Sequence, residues 1–290
     1  MRRSTFIKKS MFGLFAFPTL HALKAWSDQL ESQETVIPAL FLGHGSPMNA
    51  LEDNEFTRGW RALADSLPRP KAILCISAHW ETRGTYVTAM EKPKTIHDFG
   101  GFPKELYAVE YPAPGSPDLA KETAGLVQKT AVGLDYEWGF DHGSWAVVNR
   151  IYPAADVPMI QMSLDYGKDP QWHYELAREL AVLRRKGVLI IGSGNMVHNL
   201  RMLNWNNPQD KYDWAEEANT RFKALIGQGD HQSLIRYSAM GKSAALAIPT
   251  PEHYLPLLYV LGLQQADEPV RFFNDKTVMG SISMTSVQVG

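Results

Sequence analysis

The chain has 290 residues, 44% of them hydrophobic and 21% charged, with a formal net charge of −2. That length accommodates one sizeable α/β domain or two smaller ones. The near-neutral balance excludes the basic footprint of a nucleic-acid binder or of a protein drawn to an anionic membrane surface, and leaves small molecules as the expected partners.

Residues 1–30 differ from the rest. Arg2, Arg3, Lys8 and Lys9 precede a short apolar stretch, residues 11–17, too short to span a bilayer. Basic then apolar is the order of an export signal. Arg2-Arg3 followed by Phe6-Ile7-Lys8 resembles a twin-arginine leader, which carries folded proteins to the periplasm. The alternative is an amphipathic N-terminal helix of a cytoplasmic protein, because no small-x-small cleavage site follows. A functional domain is expected over 31–290, with no internal repeat, no linker and no stable membrane association.

From Val36 onward, short apolar runs alternate with helix patterns. This is the order of an α/β fold: a single domain with a central, mostly parallel or mixed sheet flanked by helices, and its active site at the carboxyl ends of the strands. Strands are expected at 39–42, 72–76, 86–88, 158–162 and 188–191, with a last one at 283–289. Cys75, the one cysteine, lies in the second run and reads as a buried small hydrophobe rather than a catalytic thiol.

Helix starts are legible. Ser116-Pro117 and Asp169-Pro170 each put an N-cap residue before proline at the first helical position. The second opens a helix with Trp172, Leu176, Leu180 and Leu183 on one face, closed by Gly187. Residues 213–227 form another candidate. Thr250-Pro251-Glu252-His253 repeats the start signal ahead of 255–261, where Pro256 kinks or delays the helix.

Five histidines stand where a metal or proton-transfer site would use them. His44 follows the first expected strand, His79 the second, and His198 the strand at 188–191, so all three can converge in one crevice. His253 falls in an expected first helical turn, where the dipole favours the neutral imidazole that metals require. His142 stands in a glycine-flanked loop, of the kind that carries function. Each alone is more often a supporting residue than a ligand; jointly they favour metal binding. No HExxH motif is present, which sets aside a standard metalloprotease, and Gly192-Ser193-Gly194 lacks the third glycine of a dinucleotide loop. His21, His173 and His231 lie in helix-like or polar context and are expected at the surface; His97 lies beside Gly100-Gly101.

At these same residues the chain resembles the class III extradiol ring-cleavage dioxygenases, specifically the DOPA 4,5-dioxygenase-type branch. The matching segments include Leu42-Gly43-His44-Gly45-Ser46-Pro47, Ser77-Ala78-His79-Trp80 and Thr95-Ile96-His97-Asp98-Phe99-Gly100-Gly101-Phe102-Pro103. They continue through 111–115, Phe140-Asp141-His142-Gly143-Ser144-Trp145, 193–200 and Pro249-Thr250-Pro251-Glu252-His253. The likeness runs from about Ile37 onward in unbroken order and leaves out the leader.

The resemblance implies a divalent metal held by His44 and His79, with a third ligand from the Glu252-His253 pair. It gives His198 the role of acid/base and, in zinc-loaded relatives, of a fourth ligand. His142 matches a second pocket histidine near the substrate. The implied reaction opens a DOPA-like catechol with O2 to a ring-opened semialdehyde acid. It needs iron(II), because zinc has no accessible redox change, although zinc can occupy such a site. Two rivals remain at this level: a zinc-dependent hydrolase, and a non-catalytic metal-binding relative. The loop Phe99-Gly100-Gly101-Phe102 reads equally as a pocket wall or a packed turn.

Overall fold

A computed structural model describes residues 36–290; the leader-like segment and His21 lie outside the described residues. The strands are β1 (Ala39–Gly43), β2 (Ala72–Thr82), β3 (Thr85–Thr88), β4 (Val132–Asp135), β5 (Met159–Asp165), β6 (Val188–Gly194), β7 (Val270–Phe273), β8 (Thr277–Val278), β9 (Ile282–Ser283) and β10 (Ser286–Val289). Eight make one mixed sheet in the order β4-β3-β5-β2-β6-β1-β10-β7, and β8 pairs with β9 separately. The centre, β5-β2-β6-β1, is parallel. Antiparallel β10 and then β7 extend it on one side, and β3 joins β5 antiparallel on the other. The expected α/β domain with a mixed sheet is therefore observed.

The central runs are continuously apolar because both faces are covered; every residue of β1, β5 and β6 is buried. The principal helices are α1 (Glu55–Ala64), α2 (Pro117–Leu126), α3 (His142–Ile151), α4 (Pro170–Glu179), α5 (Asp213–Gln228) and α6 (Leu255–Gly262). On one face, Trp60 of α1 and Trp145 of α3 pack against Leu40, Leu42, Ile73 and Cys75. On the other, α2, α4, α5 and α6 cover Phe41, Leu74, Ile76 and Ile190. Alternation along β1 and β2 sends neighbouring residues to opposite layers. Cys75 is buried as expected, and burial pushes its thiol pKa far above the ordinary value.

Several elements differ from the sequence expectation. The helix expected from Pro170 to Gly187 is divided: α4 ends at Glu179, Leu180 intervenes, and a short helix follows at Ala181–Arg185. The last expected strand is two, β9 and β10. His142 is not in a loop; it opens α3, with the Asp141 carboxylate accepting the Ser144 N–H at 3.1 Å as N-cap. α6 begins only at Leu255, with Pro256 in its first turn, so His253 sits in the turn just ahead of it. His173, expected at the surface, is completely buried beside the Tyr259 hydroxyl at 3.1 Å. His231 is half-buried against the Tyr174 hydroxyl. Apolar neighbours brought by the tertiary fold override the polar local context of both.

Arg184 is fully buried and joins distant chain segments. Its guanidinium donates to the carbonyls of Ile37 (2.7 Å), Leu263 (2.8 Å) and Val289 (3.3 Å), and forks onto both Glu268 oxygens at 2.8 Å. A planar, permanently charged fork suits such a buried site better than an ammonium.

Candidate metal centre and its pocket

β1, β2 and β6 run parallel, so their carboxyl ends open on one edge of the sheet. His44 leaves β1 directly, its N–H donating to the Gly194 carbonyl at 3.1 Å. His79 lies within β2 where the register against β5 shifts between Ile76 and Glu81, an irregularity that re-aims a side chain out of strand alternation. His198 follows β6, its N–H bonded to the Ala247 carbonyl at 2.9 Å. His253 is brought in because its carbonyl accepts the Asn195 N–H at 2.8 Å. A Cβ on Gly194 would stand 2.1 Å from that same carbonyl oxygen, so only glycine permits the approach.

The rings of His44, His79 and His253 form a nearly equilateral triangle, with centroids 5.0, 5.2 and 5.0 Å apart. A nitrogen about 2.1 Å from an ion puts its ring centroid about 3.2 Å away, so three facial imidazoles have centroids roughly 4.6–5.2 Å apart. His44 Nε2 and His79 Nε2 are 3.2 Å apart, close to the roughly 3.0 Å expected for two such nitrogens at right angles on one ion. By ring spacing this set fits a divalent first-row metal; the ligand atoms of the trio His44, His79 and His142, and those of the trio His198, Glu252 and His253, also gather within 4.8 Å of one another. His142 lies off the triangle, 3.9 Å from His79 and 5.8 Å from His44 by centroid. The His198 ring is stacked on that of His253 at 3.5 Å and 8°.

Oxygen partners hold the outer nitrogens. Ser193 gives its hydroxyl hydrogen to the Gly143 carbonyl, so its oxygen accepts His44 Nδ1–H at 3.0 Å and leaves Nε2 with a free lone pair. Asp98 accepts the His142 N–H at 2.8 Å and His142 Nδ1–H at 2.9 Å, and faces His79 Nδ1 at 3.4 Å. Glu252 accepts His253 Nδ1–H at 3.1 Å. Handing Nδ1–H to an oxygen fixes the tautomer and raises ligand basicity. Below this layer the buried Asp141 gathers Ser77, Ser144 and Gln161, and Ser77 Oγ accepts the His79 N–H at 3.2 Å.

Burial, followed by the neighbouring histidines, lowers the pKa of His44 and His253 well below the ordinary value. Burial and then His142 bring His79 to about 3, against a smaller opposing pull from Asp98. Burial also brings His198 to about 4, against the nearby Glu252 carboxylate. These imidazoles are neutral at pH 7, the form that ligates a metal or accepts a proton.

Residues 38–290 match the family model of the catalytic LigB subunit of aromatic ring-opening dioxygenase. The chain belongs to that family. It is 54% identical over 260 residues to the 4,5-DOPA dioxygenase extradiol of Escherichia coli K12, covering 88% of this chain and 96% of the relative. It is 37% identical over 240 residues to the protein of that name from Beta vulgaris, covering 80% and 88%. Among solved structures, an uncharacterised Escherichia coli K12 protein superposes with a TM-score of 0.77 at 48% identity, over 88% of this chain and all of the other. The resemblance read from the sequence is thus the family found. As a LigB-family extradiol dioxygenase the chain is a metal-dependent ring-opening enzyme that takes a small aromatic molecule and O2, and the hydrolase and non-catalytic readings are not favoured.

All five singled-out histidines come together on the wall of one cavity of about 710 Å3. Phe99 and Phe102 also line it, so that loop is a pocket wall. His97 points elsewhere, Nε2 against the Val109 carbonyl at 2.9 Å. Sequence reading missed Asp98 and Ser193 as partners of the histidines; both lie in matched segments, yet neither has a spacing that announces a contact made across the fold.

Proposed function

We propose that the LigB-family domain cleaves a catechol ring outside the two hydroxyls, on iron(II) held by Nε2 of His44, His79 and His253. The ring triangle carries this reading, because its sides match a facial set, whereas those to His142 do not. Zinc fits the same ligands without supporting the oxygen chemistry. Bound iron(II) supplies open positions for substrate and O2 and a route for electrons between them. DOPA, named in two of the relatives, is the first catechol to try.

This chain's own groups would handle the protons. His198, neutral and half-buried against the His253 ring, would accept the proton a catechol hydroxyl must lose on binding and return it as an acid when the ring opens. Its closeness to His253 supports the extra-ligand role in a zinc-loaded protein. His142, clamped through Nδ1 by Asp98, keeps its other ring edge toward the pocket, where it would hold a substrate oxygen. Phe99, edge-on to His142 at 5.6 Å, and Phe102 shield that side from water. Of the Glu252-His253 pair, Glu252 serves as the outer acceptor and His253 as the ligand.

The test is oxygen uptake by protein loaded anaerobically with iron(II) and given DOPA or catechol. Stoichiometric O2 consumption with a yellow ring-opened product is expected. No uptake in protein that demonstrably holds iron would overturn the reading.

A further inference from the structure

The cavity of about 710 Å3 is larger than a catechol ring fills, so it has room for a ring substituent as well. Away from the histidines its wall carries three carboxylates, Glu52, Glu55 and Asp98. Two of them are engaged. Asp98 serves His142 and faces His79, and Glu55 pairs with Lys276 at 2.6 Å. Glu52 is exposed, and its Oε2 accepts a hydrogen bond from Asn54 Nδ2 at 3.2 Å. Among the described residues its Oε1 has no hydrogen-bond partner and its carboxylate makes no ion pair. Arg150 donates instead to the main-chain carbonyls of Asn49 (2.7 Å) and Glu52 (3.0 Å).

Amides, rather than a counter-charge, hold this carboxylate in the wall. Asn54 Oδ1 caps α1 by accepting the N–H groups of Phe56 and Thr57, both at 3.0 Å, which fixes the orientation of the amide. One Nδ2 hydrogen goes to Glu52 and the other to Asn49 Oδ1, at 2.8 Å. Buried Asn49 in turn donates to the His44 carbonyl at 2.9 Å. His44, Asn49, Glu52 and Asn54 all line the cavity. Glu52 is thus tied through two amides to the main chain of a metal histidine, with one oxygen left to accept a donor from the substrate. A carboxylate in such a place favours a cationic tail. The exposed Arg201 follows the cavity-lining Leu200, a charge of the opposite sign for a tail that bears a carboxylate as well.

We propose that Glu52 is the receptor for an amino group on the substrate's ring substituent, which makes this a pocket for catechols with a short amine-bearing tail. This rests on the ring-cleavage reading above and deepens it: of the two charged groups on DOPA's tail, the ammonium is the one that donates to Glu52 Oε1.

Titration calorimetry on the full chain loaded with iron(II) under argon measures binding without turnover. Two pairs of ligands differ by the amine: DOPA against 3-(3,4-dihydroxyphenyl)propanoic acid, and dopamine against 4-propylcatechol. In each pair the amine is expected to bind about fivefold more tightly at low salt, with the margin shrinking at high salt. Glu52→Gln keeps an acceptor for Asn54 and loses the charge, so the ratio within both pairs should fall toward one. The uncharged 4-propylcatechol reports any general damage to the pocket. Equal affinity within either pair in the native protein, or a ratio that persists in Glu52→Gln, overturns the proposal. O2 is then admitted to each mixture. The expected order of binding with no uptake by any compound would remove the ring-cleavage reading and leave the amine receptor standing.

Discussion

Asp98→Asn isolates a side chain that, alone among the described residues, faces two site histidines. In the native site its two oxygens accept the His142 N–H and His142 Nδ1–H at 2.8 and 2.9 Å and face His79 Nδ1 at 3.4 Å. Burial pushes the Asp98 pKa up, but the His142 hydrogen bonds and charge hold it below the usual carboxylate range, so it is ionised at pH 7. An asparagine keeps one acceptor and turns the other into a donor facing a donor. The charge is lost and one contact becomes repulsive. A hydrogen bond to a charged acceptor contributes roughly 1.5–3 kcal/mol, and outer partners of metal-bound histidines are worth about 10–100-fold in affinity or activity. The expected loss in iron(II) affinity is therefore about 10–100-fold, read by chelator competition under argon. Turnover at saturating iron should fall as well, because His142 loses its clamp. A variant with native affinity and native oxygen uptake would refute the idea that Asp98 orients these rings.

His198→Ala should retain iron yet lose about 100-fold or more in turnover; near-normal ring cleavage would take His198 out of the mechanism. Gly194→Ala puts a Cβ 2.1 Å from the His253 carbonyl oxygen, and a forced shift of about 1 Å should cost on the order of 100-fold in activity with the fold kept by circular dichroism. Arg184→Ala strands Glu268 and three main-chain carbonyls, which should cost about 3–5 kcal/mol and lower Tm by roughly 6–20 °C in a melt; a shift under about 2 °C would mean solvent replaces the fork. Glu268 itself gives a pH signature. Burial would raise its pKa, but hydrogen bonding and charge from Arg184 hold it below the ordinary value. Its contribution is complete above the unfolded pKa, near 4.3, and is lost as pH falls through the folded one. Melts from neutral to acid pH should show wild type and Glu268→Gln converging in acid; a gap that stays constant would refute the linkage.

How much was legible follows from where the information sits. The buried parallel strands announce themselves as apolar runs, and β1, β2, β5 and β6 fall on or beside the expected spans. Histidines at the ends of those runs are readable for the same reason. β4 and β7, at the sheet's two edges, are half-covered and carry no such run. His173 shows the opposite failure, since polar neighbours in sequence say nothing about α6 packing over it. Asp98 was unreadable because its role depends on α3 placing its first residue against a loop more than 40 positions earlier.

The sheet order also sets a schedule for synthesis. β1, the first strand among the described residues, lies between β6 and β10, so a ribosome must reach residue 289 before β1 has both neighbours. Arg184 closes the same circuit, holding the approach to β1 and the end of β10 at once. Pairings that span the whole domain are slow to close. The edge that carries His44 therefore stays unfinished while nearly all of the polypeptide is already made, so the last few residues to leave the ribosome complete the sheet beside the site.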